Sequence, residues 1–304
     1  MTHRKKLLIT INVLSITFLA ELVGGLISGS LSLVADSVHV FSDAFSLILA
    51  FAAMSIAHRK MPTDRMTFGY HRLEVFSALF NGGTLVAISL FVLFYAVQRY
   101  LHPQAVKAWT AMTIAVIGLG VNVISALILR SDVGRDNDIN LRSAYLHVLG
   151  DALASVAVIV GMVVIAFTRL VFIDAIVAAL ISFVILYSAI RVLIEGTGIL
   201  LQQAPADVGP IREKVRRIDH VLDIQDVRLW RVCSVLAVGT AHVITDVERL
   251  EETEPIYDQV VSVLEQECCT RHLTLQFETP AMSKRHSHEF NHQHDVGSDE
   301  HPHH

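Results

Sequence analysis

Six apolar stretches fill nearly the first two thirds of the chain, at roughly 7–27, 32–57, 73–97, 108–129, 143–167 and 170–190, with short polar segments between them. A helix needs about 20 apolar residues to cross about 30 Å of bilayer hydrocarbon, and each stretch is long enough. The pattern predicts six transmembrane helices. After position 202 it changes character. Ala204-Pro205-Ala206-Asp207 reads as a linker that ends in a helix amino cap. Ile211, Val215 and Ile218 recur at helical spacing, and 223–232 and 236–245 alternate like strands. Ile256, Val260, Val263 and Leu264 mark a second helix, and 273–277 reads as a last strand. The order αββαβ predicts a compact α+β, ferredoxin-like domain. The expected organisation is a polytopic α-helical membrane domain over 1–203, a small α+β domain over 204–280 and a disordered tail over 281–304.

Composition supports a membrane protein. The 304 residues are 53% hydrophobic and 17% charged, too apolar for an ordinary soluble chain. Lys and Arg set the orientation, because loops on the cytoplasmic side carry their excess. With the amino terminus inside, the inner segments hold Arg4, Lys5, Lys6, Arg59, Lys60, Arg65, Arg72, Arg130, Arg135 and Arg142, against Arg99, Lys107 and Arg169 outside. Both termini are therefore expected in the cytoplasm, with the first span retained as a helix rather than cleaved as a signal peptide. Short loops suggest a bacterial inner membrane. The net charge of −5, without an extended basic patch, gives no reason to invoke nucleic acid. Cys233, Cys268 and Cys269 all fall on the expected cytosolic side, where thiols stay reduced. The vicinal pair lacks a CxxC spacing and reads as packing.

Two of the spans share one motif. His39-Val-Phe-Ser-Asp43-Ala and His147-Val-Leu-Gly-Asp151-Ala both read His-Val-x-x-Asp-Ala. Ionisable groups are costly in hydrocarbon, so such residues point to function by default. On a helix, positions i and i+4 share a face, so each motif can aim an imidazole nitrogen and a carboxylate oxygen at one point. Two helices facing each other would supply His39, Asp43, His147 and Asp151. Two neutral imidazoles and two carboxylates suit tetrahedral Zn²⁺, and the loaded site would be neutral. The second and fifth spans are expected to run antiparallel, which sets His39 level with Asp151 and Asp43 level with His147. Asp36 lies on the same face, as a fifth ligand, as a residue that receives the ion, or as a partner that orients His39.

Several segments resemble the cation diffusion facilitator family of divalent-metal transporters. Ser28-Gly29-Ser30-Leu31-Ser32-Leu33-Val34-Ala35-Asp36-Ser37-Val38-His39, followed by Asp43, is similar to that family's signature at its second helix. Phe68-Gly69-Tyr70-His71-Arg72-Leu73-Glu74 resembles its approach to the third, and His147 with Asp151 its pair on the fifth. Leu273-Thr274-Leu275-Gln276-Phe277-Glu278 is similar to the closing strand of its cytosolic domain. Within the family, a His and an Asp from each helix resemble the zinc and cadmium branch. The resemblance implies a homodimer that exports metal from the cytosol in exchange for protons. No cofactor is implied; Zn²⁺ is the transported substrate, with protons and the lipid bilayer as the other partners. A physical reason for coupling exists in the ligands, since imidazole must lose its proton before it binds metal.

The chain departs from the family in its soluble domain. Where relatives often carry His-x-x-His-x-Trp, it has Gln225-Asp226-Val227-Arg228-Leu229-Trp230. His242, His272 and Glu278 remain candidate ligands there, with Asp226 or His220 as contributors. His71 and His58 are candidate accessory ligands near the inner mouth. Seven of the sixteen histidines fall in 281–304, where they can gather metal weakly or serve as a plain solvated tail. Glu21 and Asn122 are expected to hydrogen-bond between helices, and Glu74 and Asp174 to lie near the interfaces, with a place lining the path as the alternative for each of the four. Gly24-Gly25 and Gly82-Gly83 are expected to permit close helix packing.

Two other functions compete with transport. A membrane-embedded metalloenzyme would use the same four residues to activate water, but it needs an open coordination position and a general base, and no HExxH or Ser/Lys motif occurs. A metal sensor would act through the small domain alone, which Gln225 and Arg228 weaken.

Overall fold

The computed structural model describes residues 3–59, 63–133, 139–268, 270 and 272–285. Six long helices come first: α1 His3–Ser28, α2 Leu31–Arg59, α3 Arg72–Leu101, α4 Ala108–Val133, α5 Ile139–Thr168 and α6 Phe172–Leu200. At 1.5 Å rise per residue each extends about 39 to 45 Å, more than the hydrocarbon thickness. Over the described residues, α1, α3, α5 and α6 contain segments long and apolar enough to cross a membrane. Their outward faces are apolar too, with Ile16 and Leu19 on α1, Phe91 and Phe94 on α3, and Phe183 and Val184 on α6 all exposed. In water that arrangement would be prohibitive, and in lipid it is what solvates the helices.

Contacts divide the chain into two units, Met1–Arg65 with Phe76–Gly196, and Met66–Val75 with the chain from Thr197 onward. In the first unit α1 packs on α2 and α4, and α5 packs on α4 and α2. Small buried residues hold the backbones close: Ala35 on α2, Ala111 and Ala115 on α4, and Ala178 on α6. Gly24 behaves as expected, since a Cβ there would run into the Ile114 side chain of α4. Such close approach substitutes for the hydrophobic drive that lipid does not supply.

A polar knot holds the start of α2. Asp174, on the first turn of α6 and 1% exposed, accepts hydrogen bonds from Ser30 Oγ at 2.8 Å, Leu31 N at 2.6 Å, Ser32 N at 3.0 Å and Ser32 Oγ at 2.6 Å. Arg99 of α3 donates to Asp174 at 3.2 Å and also to the Gly29 carbonyl. Gly29 has φ +70, so the reversal between α1 and α2 uses a backbone state open to glycine. The carboxylate satisfies the orphan N–H groups that begin α2 and lies at the positive end of its dipole. Asp174 therefore does not snorkel to the interface as expected. It is buried because donors from α2 and α3 surround it.

The second unit carries α7 Val208–Val215, β1 Val221–Arg231, β2 Ala237–Thr245, a 3₁₀ turn at Leu250–Thr253, α8 Glu254–Cys268 and β3 His272–Glu278. This is the αββαβ order expected from the sequence. The strands are ordered β1-β2-β3, with β1 antiparallel to β2 and β2 parallel to β3. Asp207 caps α7 as expected, accepting from Gly209 N at 2.9 Å. Ile211, Val215, Ile256, Val260 and Leu264 of the helices bury against Ile224, Val227, Leu229, Ala241 and Val243 of the sheet. Cys268 joins this core, in line with its reading as packing, and Cys269 lies outside the described residues.

Two predictions follow from this architecture. Asp174→Asn replaces an acceptor with an amide that turns a donor toward donors. It should cost on the order of 3 kcal/mol and lower the thermal unfolding midpoint of the detergent-solubilised protein clearly. In the second unit, burial tends to raise the Asp223 carboxyl, but hydrogen bonds from Gln225, Arg216 and Ile224 N prevail and hold it below the usual range. Its contribution is thus present above the unfolded value of about 3.9 and lost as pH falls through the lower folded value. Below pH about 4, Asp223→Asn should therefore show a shallower loss of midpoint than the unsubstituted chain.

Candidate metal centre

On α2, Asp36, His39 and Asp43 follow one another at spacings of three and four residues and share a helical face. On α5, Asp151 and Ser155 do the same. His39 Nε2 lies 2.8 Å from Asp151 Oδ1, a contact between positions 112 apart in sequence. One ligand atom from each of His39, Asp43 and Asp151 lies within 4.8 Å of the others. Among the described residues this is the one such cluster of three or more potential ligands. His39 meets Asp151, as antiparallel helices require.

The side chains of His39 and Asp151 are 22% and 11% exposed, so the cluster is neither sealed nor open to bulk water. Metal ligation needs the His39 nitrogen without its proton. A cation that takes the place of the hydrogen bond between His39 and Asp151 can use both atoms as ligands, with Asp43 at hand. Asp36 lies behind them, 1% exposed, and accepts a hydrogen bond from Ser155 Oγ at 3.1 Å. That bond ties the two ligand-bearing helices one turn from His39 and Asp151. Ser155 was readable as a polar position four residues after Asp151 in an apolar helix, but the sequence reading passed over it.

His147 lies on α5, and its side chain is outside what the structure describes, as is that of His58 on α2. The tail histidines from His286 onward lie outside the described residues. His71 is in the second unit, where its Nδ1 is 4.0 Å from Cys233 Sγ, and Glu74 accepts from the Ser234 hydroxyl. Glu74 therefore has a specific protein partner at the start of α3. Glu21 differs from expectation as well. It is 1% exposed, and neither of its carboxylate oxygens has a hydrogen-bond partner among the described residues.

The candidates in the second unit separate into a pair and a distant residue. His242 Nδ1 is 2.7 Å from Glu278 Oε1, which also accepts from Gln276 Nε2 at 2.7 Å. His272 begins β3, pairs with Val238 and is exposed, whereas Glu278 ends the same strand. Six residues of strand separate them by about 20 Å, too far to share an ion. Gln225, opposite His242 in the ladder, has its amide engaged with Asp223 at 3.1 Å and Ser283 at 3.2 Å. His220 pairs with Asp246 at 3.0 Å, and Asp226 with Arg228 at 2.8 Å. Each is thus occupied locally, and among the described residues neither joins His242 and Glu278 in a cluster of three potential ligands.

Long helices with apolar outer faces, four of them able to cross a membrane over the described residues, and a half-buried cluster of potential ligands among them are features of an integral membrane transport protein. The family model of the cation efflux transmembrane domain matches residues 7–201, and the chain belongs to this family, the cation diffusion facilitators. It is similar to the cadmium, cobalt and zinc/H(+)-K(+) antiporter of Bacillus subtilis, with 32% identity over 92% of this chain and 90% of that protein. It is also similar to the metal cation efflux system protein CzcD of Cupriavidus metallidurans, 34% identical over 86% of this chain and 83% of the relative. The zinc transporter ZitB of Escherichia coli is 34% identical over 91% of this chain and 88% of its own length.

The separation of the second-unit candidates has a direct test. Glu278→Ala strips the partner from His242 and Gln276 and should destabilise the chain by about 1 to 3 kcal/mol. His272→Ala, at an exposed strand start, should stay within about 0.5 kcal/mol. Comparable losses in chemical unfolding would contradict this arrangement.

Proposed function

We propose that this protein removes Zn²⁺ from the cytosol in exchange for protons, through an intramembrane site made of His39, Asp43, His147 and Asp151. The observation that carries the reading is the convergence of His39, Asp43 and Asp151, from two helices, within 4.8 Å. His147, one helical turn before Asp151, completes the set by the symmetry of the two motifs. Cadmium and cobalt, which appear with zinc in the name of the Bacillus relative, accept similar ligands and extend the substrate class.

In this mechanism His39 and Asp151 hold a proton between them while the site is empty. An ion arriving from the cytosol displaces that proton, because the same lone pairs cannot serve both. After the site turns outward, incoming protons reclaim the imidazoles and release the ion. The antiporter name of the Bacillus relative is in keeping with this exchange. The neutral balance of two carboxylates with a divalent ion keeps the loaded site tolerable in hydrocarbon.

All six helices α1 to α6 span the bilayer, and both termini lie in the cytoplasm, as the Lys and Arg distribution directs. The membrane is a bacterial inner membrane, in keeping with the bacterial relatives. The αββαβ unit and the His-rich tail are then cytosolic, and the unit joins two copies as a homodimer. The tail gathers metal near the inner mouth. Metal capture by the αββαβ unit itself is disfavoured, because His242 and Glu278 lack a third ligand from His272, and Gln225 stands where relatives often have His.

Zn²⁺ flux into proteoliposomes with an imposed pH gradient tests the reading. Flux should follow the gradient and fall by at least about 10- to 100-fold in His39→Ala and Asp151→Ala. Flux that survives both substitutions would overturn the assignment of the site.

A further inference from the structure

Glu21 is the buried acid that the transport site as described does not use. It lies about two turns before the end of α1, is 1% exposed, and both carboxylate oxygens lack a hydrogen-bond partner among the described residues. The fold makes room for it deliberately. Its carboxyl fills a notch on α4 left by Gly118, where a Cβ would collide with Oε1. Its electrostatic neighbours are Asp36 and His39 of α2 and Asp151 of α5. From α4, the other helix packed against α1, no charged neighbour faces it among the described residues.

A bare carboxylate in such surroundings lacks both solvent and a hydrogen-bond donor, and the acids Asp36 and Asp151 stand nearby against the one imidazole of His39, so the neutral acid is the form that fits. The state should change with the cargo. Replacing one proton at the neighbouring ligands with a divalent ion adds a positive charge within electrostatic range, and that favours an ionised carboxylate. Glu21 is not itself placed among the metal ligands. We infer that Glu21 is a second cation-binding group beside the metal ligands: a proton site that is filled while they are empty and gives its proton to solvent when the divalent ion binds. The bond broken is the carboxyl O–H, the electron pair stays on Glu21, and the proton leaves as the ion arrives. This rests on the transport reading above and adds to it a proton carried outside the ligand set.

The test counts protons released per Zn²⁺ bound by the full-length, detergent-solubilised protein in weakly buffered solution with a pH indicator. Glu21→Gln should still bind Zn²⁺ and should release about one proton fewer per ion than the unsubstituted chain, as expected for one titrating group removed. Unchanged release with Zn²⁺ binding intact would overturn this inference and leave the transport reading standing. An unsubstituted protein that binds no Zn²⁺ would overturn both. If Glu21→Gln fails to fold, infrared difference spectra on adding Zn²⁺ decide the matter. The unsubstituted chain and Asp36→Asn should both lose a protonated-carboxyl C=O band. No loss in the former, or its disappearance in Asp36→Asn, would overturn the assignment to Glu21.

Discussion

A polar group buried among hydrocarbon-facing helices must find its partners within the protein, because no water is there to supply them. That constraint orders this molecule. Its clearest expression is Asp174, whose four bonds from Ser30, Leu31 and Ser32 and one from Arg99 saturate a buried carboxylate. The same bonds fix where α2 begins. Since His39 and Asp43 ride on α2, the knot at its start determines the height at which they are offered to α5, two to three helical turns away. The Asp36–Ser155 bond then ties α2 to α5 beside the site. Position of the ligands is thus inherited from groups that never need to touch an ion.

Saturation also separates fixed parts from exchangeable ones. Asp174 has every reason to stay where it is, since any motion that frees it strands a charge. The His39–Asp151 pair is held by one bond, 2.8 Å long, between groups that are partly exposed. In the proposed exchange, the proton between these two atoms fills reversibly the place that an ion can also take. The contrast between a carboxylate held by five donors and a pair joined across two helices by one hydrogen bond separates a fixed frame from a site that can rearrange.

The repeated His-Val-x-x-Asp-Ala was legible in the sequence because both its cost in hydrocarbon and its helical spacing are local properties. The αββαβ order was legible for a similar reason, as apolar periodicity changes from helix-like to strand-like within windows of about ten residues. The role of Asp174 was not. Its partners Ser30, Leu31 and Ser32 lie more than 140 residues away, and nothing in the immediate surroundings of Asp174 distinguishes a knot from an interface residue. The orphan state of Glu21 was hidden likewise, because it depends on Gly118 having no side chain on a different helix. The separation of His272 from Glu278, in contrast, was available from the sequence. Both sit on the strand read at 273–277 or at its ends, and a strand cannot fold back to unite them.

Among the buried acids of the long helices that the structure describes, Glu21 is the exception that gives the constraint its meaning. If every buried polar group were saturated, as Asp174 is, the helices would have one arrangement and no means of responding to cargo. A carboxyl left without a fixed partner, within electrostatic range of His39 and Asp151, is sensitive to the charge at the site. Its burial makes that sensitivity strong, since the low-dielectric interior screens little. The Gly118 notch keeps the group in place without a hydrogen bond, so its protonation is set by the neighbouring charge rather than by a local donor. On the proposed reading, the residues that hold the metal and the residue that registers its charge differ, which lets affinity and proton coupling be tuned by different side chains.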